Sequence, residues 1–284
     1  MREKLKLLLE DRVQKYVSES ALRAEDRKIE NKLTSLKERS AEIVNVKARA
    51  SVKSSNEDKG YSSIMYDIHF KYLIKQKDLI YMEEEIEHRQ AVADNGRILQ
   101  DMEVPYRYGA ETFEEGSEDF EERIPYTYNR LKAVQYAERW WNEFNPAYRR
   151  FEDDCTSFIS QCLRAGGAPM SGSPNRSRGW WYSGKSWSWS WSVAHALKLY
   201  LQSSKGLRTQ QVARPDELTF GDIICYDFEG DGRYNHNTIV TGRDAYGMPL
   251  VNAHTTNSRL RYWKYEDSTA YTPKIKYTFF RILN

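Results

Sequence analysis

An excess of charge of one sign is missing from this 284-residue sequence: 43 lysines and arginines stand against 41 aspartates and glutamates, for a formal net charge of +2. With no cationic surplus to neutralise phosphates, a DNA or RNA partner is not expected. Cysteine is scarce, at three residues. Cys155 and Cys162 stand seven positions apart, so on one helix their Cα atoms lie roughly 10 Å from each other, beyond the ~7 Å that a disulfide can bridge. Free thiols are expected. Long apolar runs are absent as well, and the opening MREKLKLLLEDRV holds only a short apolar cluster before acids appear. That excludes a signal-peptide core and a membrane span there. A cytoplasmic protein, or an exported one whose leader is not in this sequence, is expected. No repeat of solenoid length is present.

The length suggests two domains. Residues 1–37 are charged and helical in period, with Leu5, Leu8, Leu9, Val13, Tyr16 and Val17 on one stripe and Leu22, Ile29, Leu33 and Leu36 continuing it. Such a stripe needs a sheet to cover. VNVKARASV then alternates Val44, Val46, Ala48, Ala50 and Val52 with polar residues, and IMYDIHFKY turns Ile64, Tyr66, Ile68, Phe70 and Tyr72 inward, the period of a half-buried strand. DLIYMEEEIEHRQAV and GRILQDMEV read as two more strands, joined by the turn-like SSNEDKG, KQKD and ADNG. Residues 1–102 therefore read as an α+β module of helices and an antiparallel meander, similar in shape to cystatin-like or nuclear-transport-factor-like folds, a likeness that carries no chemistry. The acidic stretch 103–125, with ETFEEGSEDFEER, reads as a linker. Residues 126–284 form the second domain. It opens on a helix beginning near Tyr128, with Leu131, Val134, Ala137 and Trp141 on one side.

The chemistry turns on FEDDCTSFISQCL, residues 151–163. Cys155, Phe158, Ile159, Cys162 and Leu163 recur at helical spacing, the pattern of a buried face, so Cys155 has a core reading. It also has a catalytic one. Asp154 is a favoured N-cap, which puts Cys155 in the first turn, where unpaired N–H groups and the helix dipole favour a thiolate. Asp153 opposes this, so a nearby imidazolium is required.

Of five histidines, His69, His88 and His195 read as surface residues. His236 and His254 lie in YNHNTIVTG and LVNAHTT, two strands of an expected hairpin through RDAYGMP. A turn centred on Ala245 would set His236 opposite His254 and Thr238 opposite Asn252, with both imidazoles on one face.

DCTSF opening a helix, LTFGDIICYDFEGDG ahead of NHNTIVTG, VNAHTTN, and the flanking YNRLKAVQYAERWWNEFNPAY and RGWWY together resemble the putative amidase domain family. That family is related to the NlpC-type and CHAP cysteine peptidases. The resemblance covers residues 126–284. It implies a papain-like fold and cysteine-dependent hydrolysis of an amide or peptide bond, with Cys155 as nucleophile, His236 as base and a third polar residue on the next strand. Relatives vary in that residue, which leaves His254 and Asn252; the expected register favours His254. The backbone N–H of Cys155 is the natural first oxyanion donor, and no second can be named. An acyltransferase using the same dyad, or a binding protein on an inactive fold, is the alternative.

WWYSGKSWSWSWS offers Trp180 and Trp181 as a substrate-groove wall or as core. DFEGDG matches the start of a calcium loop, but its twelfth position is Thr238, so a tight acidic turn is expected and no metal. Cys162 and Cys225 read as core. No cofactor is called for. The expected partner is a peptide or amide substrate, with peptidoglycan-derived peptides the class on which relatives often act.

Overall fold

The computed structural model describes residues 2–17, 26–58, 60–105 and 125–284. The expected linker falls largely on residues 106–124, and Leu22 on residues 18–25, outside the described residues. The chain divides into two compact units, one of residues 1–106 with 264–271, the other of residues 107–263 with 272–284.

The first unit is α+β. Helices α1 (Arg2–Val17) and α2 (Arg27–Glu38) precede an antiparallel meander of β1 (Glu42–Asp58), β2 (Tyr61–Gln76), β3 (Leu79–Asp94) and β4 (Arg97–Glu103). Asp26 caps α2, its side chain accepting from the Lys28 and Ile29 N–H groups. The strands run further than the alternation suggested, and SSNEDKG is mostly strand. On β2 the alternation is strict: Ile64, Tyr66, Ile68, Phe70 and Tyr72 are all buried. β1 departs from its reading, for Val44 and Val52 are exposed and Val46 alone of the five inward candidates is buried. The inward face of β3 is ionic, because Glu83, Glu85, Glu87 and Arg89 are buried there. Cations from the helices meet them: Arg12 Nη2 lies 3.3 Å from Glu87, Lys28 Nζ lies 3.0 Å from Glu87 and 3.3 Å from Glu85, and Lys32 bridges Glu83 and Asp267. Each buried charge is thus paired, which is the condition for burying it. His69 and His88 pair with Glu84 and Asp67 on the other face.

The second unit contains α3 (Arg130–Trp140), α4 (Cys155–Ala165), the short β5 (Tyr182–Ser183) and β6 (Ser186–Trp187), α5 (Trp189–Ser192), α6 (Ala194–Ser203), and strands β7 (Thr209–Val212), β8 (Ile223–Asp227), β9 (His236–Arg243), β10 (Pro249–Ala253), β11 (Ser258–Tyr262) and β12 (Lys276–Ile282). Within it the strands lie antiparallel in the order β11-β10-β9-β8-β12-β7. Helix α4 is central. Phe158, Ile159, Cys162 and Leu163 enter one apolar cluster with Ile223, Cys225 and Ile239 from the sheet, as the helical spacing predicted. All three cysteines are free thiols. Leu131 departs from its reading, since it is 66% exposed while Ala133, Ala137 and Trp141 face inward.

Trp180 and Trp181 form no groove wall. Both are buried: Trp180 Nε1 donates to Ser160 Oγ at 2.9 Å and Trp181 Nε1 to the Asn175 carbonyl at 3.0 Å. Trp180 packs on Trp191 with centroids 5.1 Å apart. Their N–H groups find partners inside, so the core accepts them. Trp180→Ala is expected to lower stability by about 3–5 kcal/mol in urea unfolding, the cost of emptying a large aromatic site; a loss within 1 kcal/mol would restore a surface role.

DFEGDG is a turn closed by its own acid. Asp227 accepts the N–H groups of Gly230, Asp231 and Gly232. His195 is not a surface residue: it is half-buried, and its Nδ1 accepts the Tyr234 N–H at 3.1 Å.

Candidate active site

Cys155 is the first residue of α4, and the Asp154 carbonyl accepts the first helical bond from Phe158 N–H at 2.9 Å. The Asp154 side chain makes no cap bond, contrary to its expected role. Its carboxylate is spent elsewhere: Oδ2 lies 2.6 Å from His254 Nδ1. The other ring nitrogen of His254, Nε2, lies 2.6 Å from the Trp140 carbonyl oxygen at the end of α3. The ring stacks on Phe158 at 4.0 Å and meets Phe144 edge-on. Both ring nitrogens of His254 are thus held, Nδ1 by the Asp154 carboxyl group and Nε2 by the Trp140 carbonyl. Burial pushes the Asp154 carboxyl up, and the His254 bond pulls it back.

A second rung stands beside the first. The Cys155 N–H donates to Thr255 Oγ1 at 3.1 Å. Residues 154 and 155 at the start of α4 are therefore clamped, in order, by residues 254 and 255 after β10. The sulfur lies 3.6 Å from Thr156 Oγ1 and is faced by the Asn237 backbone N–H, while Asn237 Nδ2 donates to Thr156 Oγ1 at 3.0 Å.

The hairpin register differs from the expected one. Leu250 pairs with Gly242, which centres the turn on Tyr246, and a bulge that skips Thr241 on β9 moves the register back by one, so Asn252 pairs with Ile239 and not with Thr238. Asn237 and Ile239 point at α4, so His236 and Thr238 point to the opposite face, where His236 meets the rings of Tyr226 and Phe228. His236 and His254 do not share a face. Burial, helped by Arg261, lowers the His236 imidazole to about 3. Asn252 is also committed elsewhere: its Nδ2 donates to Glu138 at 2.8 Å and its Oδ1 accepts from Thr241 and the Leu260 N–H. Thr255, Thr156, Asn237 and the Trp140 carbonyl were not foreseen. Nothing in HTT distinguishes Thr255 before the turn is folded.

The nucleophile candidate is closed in. Cys155 is 3% exposed, and burial pushes its thiol up to about 11, with the Thr156, Asn237 and Thr255 contacts pulling the other way. The expected resting thiolate is thus replaced by a thiol. A raised value leaves less thiolate at every pH below it, so alkylation of resting Cys155 by iodoacetamide should climb about tenfold per pH unit above neutrality and level off near 11. A plateau reached below pH 9 would contradict this.

The sequence profile of the Putative amidase domain family matches residues 127–280, more than half of the chain and all of this site. The chain belongs to that family. It is also similar, at 49% identity over 298 residues, to the Bacillus subtilis (strain 168) protein named Uncharacterized protein YhbB, with 99% of this chain and 95% of that one covered. A second protein of that strain, named Uncharacterized protein YjcM, is 30% identical over 139 residues, 46% of this chain and 31% of the other. No solved structure matches. Family membership makes an amide the substrate class. Among the described residues no helix is long and apolar enough to cross a membrane.

Proposed function

We propose that this amidase-family protein hydrolyses an amide or peptide bond through a thioester on Cys155, on a papain-like arrangement of helix and sheet. The observation that carries the reading is the clamp at the start of α4, where His254 pairs with Asp154, the residue before the nucleophile, and Thr255 accepts the Cys155 N–H. The Cys155 thiol gives its proton to the Asp154–His254 pair as the sulfur attacks the carbonyl carbon, and the oxyanion draws on the Cys155 N–H. The pair passes that proton to the departing amine as the C–N bond breaks. The pair then takes a proton from the water that opens the thioester and returns it to the sulfur, which releases the acid and restores the thiol. Asp154 orients His254 throughout. His236, which the family resemblance offered as base, takes a structural part here because it faces the other side of β9.

One observation favours a second reading, a non-catalytic binding protein: the sulfur is buried and its thiol raised. Incubation with muropeptides and with general peptides, with and without amine acceptors, separates the possibilities by product mass. An acyl adduct on Cys155 and a cleaved product support the hydrolase. Amine-capped products mark an acyltransferase. No turnover and no adduct on any substrate would leave the binding protein.

A further inference from the structure

Thr255 has a backbone φ of +79°, and it is the one β-branched residue in that left-handed region among the described residues. A branched Cβ is unfavourable there, so neighbouring bonds must hold it. They come from the preceding residue, since His254 is tied through both ring nitrogens to Asp154 and the Trp140 carbonyl. The strained backbone turns the Thr255 hydroxyl back onto α4. There Oγ1 accepts the Cys155 N–H at 3.1 Å.

In acyl transfer that N–H is needed by the carbonyl oxygen as it gains charge, at hydrogen-bond distance from the donor and beside the nucleophile. The Thr255 hydroxyl oxygen already stands at hydrogen-bond distance from that donor, which belongs to the nucleophile's own residue. We propose that Thr255 is a positioning residue that fills the oxyanion position of the empty site and yields it to the carbonyl oxygen of an incoming acyl compound. This rests on the reading of Cys155 as nucleophile. It also gives the clamp a purpose: His254 holds the stand-in oxygen in place, and substrate binding exchanges one acceptor for another at the same donor.

The test labels Cys155 in the intact protein with iodoacetamide, whose carbonyl can take the N–H, and with allyl bromide, which has no carbonyl, and follows the modified peptide by mass. Thr255→Gly is the main variant, because glycine is at ease at this φ and lacks the hydroxyl. Thr255→Ala checks it, and Thr255→Ser restores the hydroxyl. The expected result is a rise of about tenfold in the iodoacetamide-to-allyl-bromide rate ratio for Gly and Ala, the size of one hydrogen bond gained by the reagent, with Ser returning to the wild-type ratio. Equal acceleration by both reagents would mean that Thr255 merely covers the sulfur, and an unchanged ratio would mean that it does not compete at all; either overturns the proposal. The ratio is read without turnover. Hydrolysis with an unshifted ratio would sink this inference alone, and a shifted ratio without hydrolysis of any amide would sink the hydrolase reading alone.

Discussion

Cys155→Ala is expected to abolish amide hydrolysis, by about 10⁴-fold or more, because without the sulfur no thioester forms and only binding and the oxyanion donor are left. The same change should cost little stability. Cys155 is buried but lies outside the apolar cluster that Phe158, Ile159, Cys162 and Leu163 enter, so the loss is close to that of one small apolar group, about 1 kcal/mol. The measurement is steady-state hydrolysis of whichever substrate the mass assay identifies, paired with urea unfolding. Activity within tenfold of wild type would remove Cys155 from the mechanism. Intact activity loss with a stability loss above ~3 kcal/mol would instead support the core reading of this residue.

The second large effect belongs to His254→Ala. The substitution leaves the Asp154 carboxyl group buried with its histidine partner gone, removes the stack on Phe158 and frees the turn that holds Thr255. Breaking one side of a buried ion pair costs about 3–5 kcal/mol, so the melting temperature should fall by more than for Cys155→Ala. Turnover per folded molecule should fall as well, because the leaving amine loses its proton donor. His236→Ala separates the two histidines. Buried against Tyr226 and Phe228, His236 should affect stability and leave turnover per folded molecule near wild type. If His236→Ala removed turnover while His254→Ala spared it, the base assignment would pass to His236. If Asn252→Ala were the most damaging of the three, the Glu138–Asn252 link would matter more than the clamp at α4.

Periodicity alone determined a good part of this protein. The alternation from Ile64 to Tyr72 marked the inward face of β2, and the spacing of Phe158, Ile159, Cys162 and Leu163 marked the buried face of α4. Both patterns are local: side-chain direction follows from the repeat of the element, and burial of apolar groups picks the face. The motifs around Cys155, His236 and His254 also pointed to the amidase family, which the profile over residues 127–280 bears out. Three matters were decided only by the folded chain. The carboxylates of Glu83, Glu85 and Glu87 lie inward because Arg12, Lys28 and Lys32 arrive from distant helices to pair with them, and a charge count along one strand does not reveal a partner some fifty to seventy-five residues away. Trp180 and Trp181 are core because Ser160 and the loop carbonyls meet their N–H groups. The largest difference came from the hairpin, whose turn is centred on Tyr246 and not Ala245 and whose bulge skips Thr241. Side chains alternate with a period of two, so one extra residue reverses every face beyond it. β10 ends at Ala253, so His254 pairs with no residue of β9 and stands in the turn that follows, beside Asp154, with Thr255 on the N–H of Cys155.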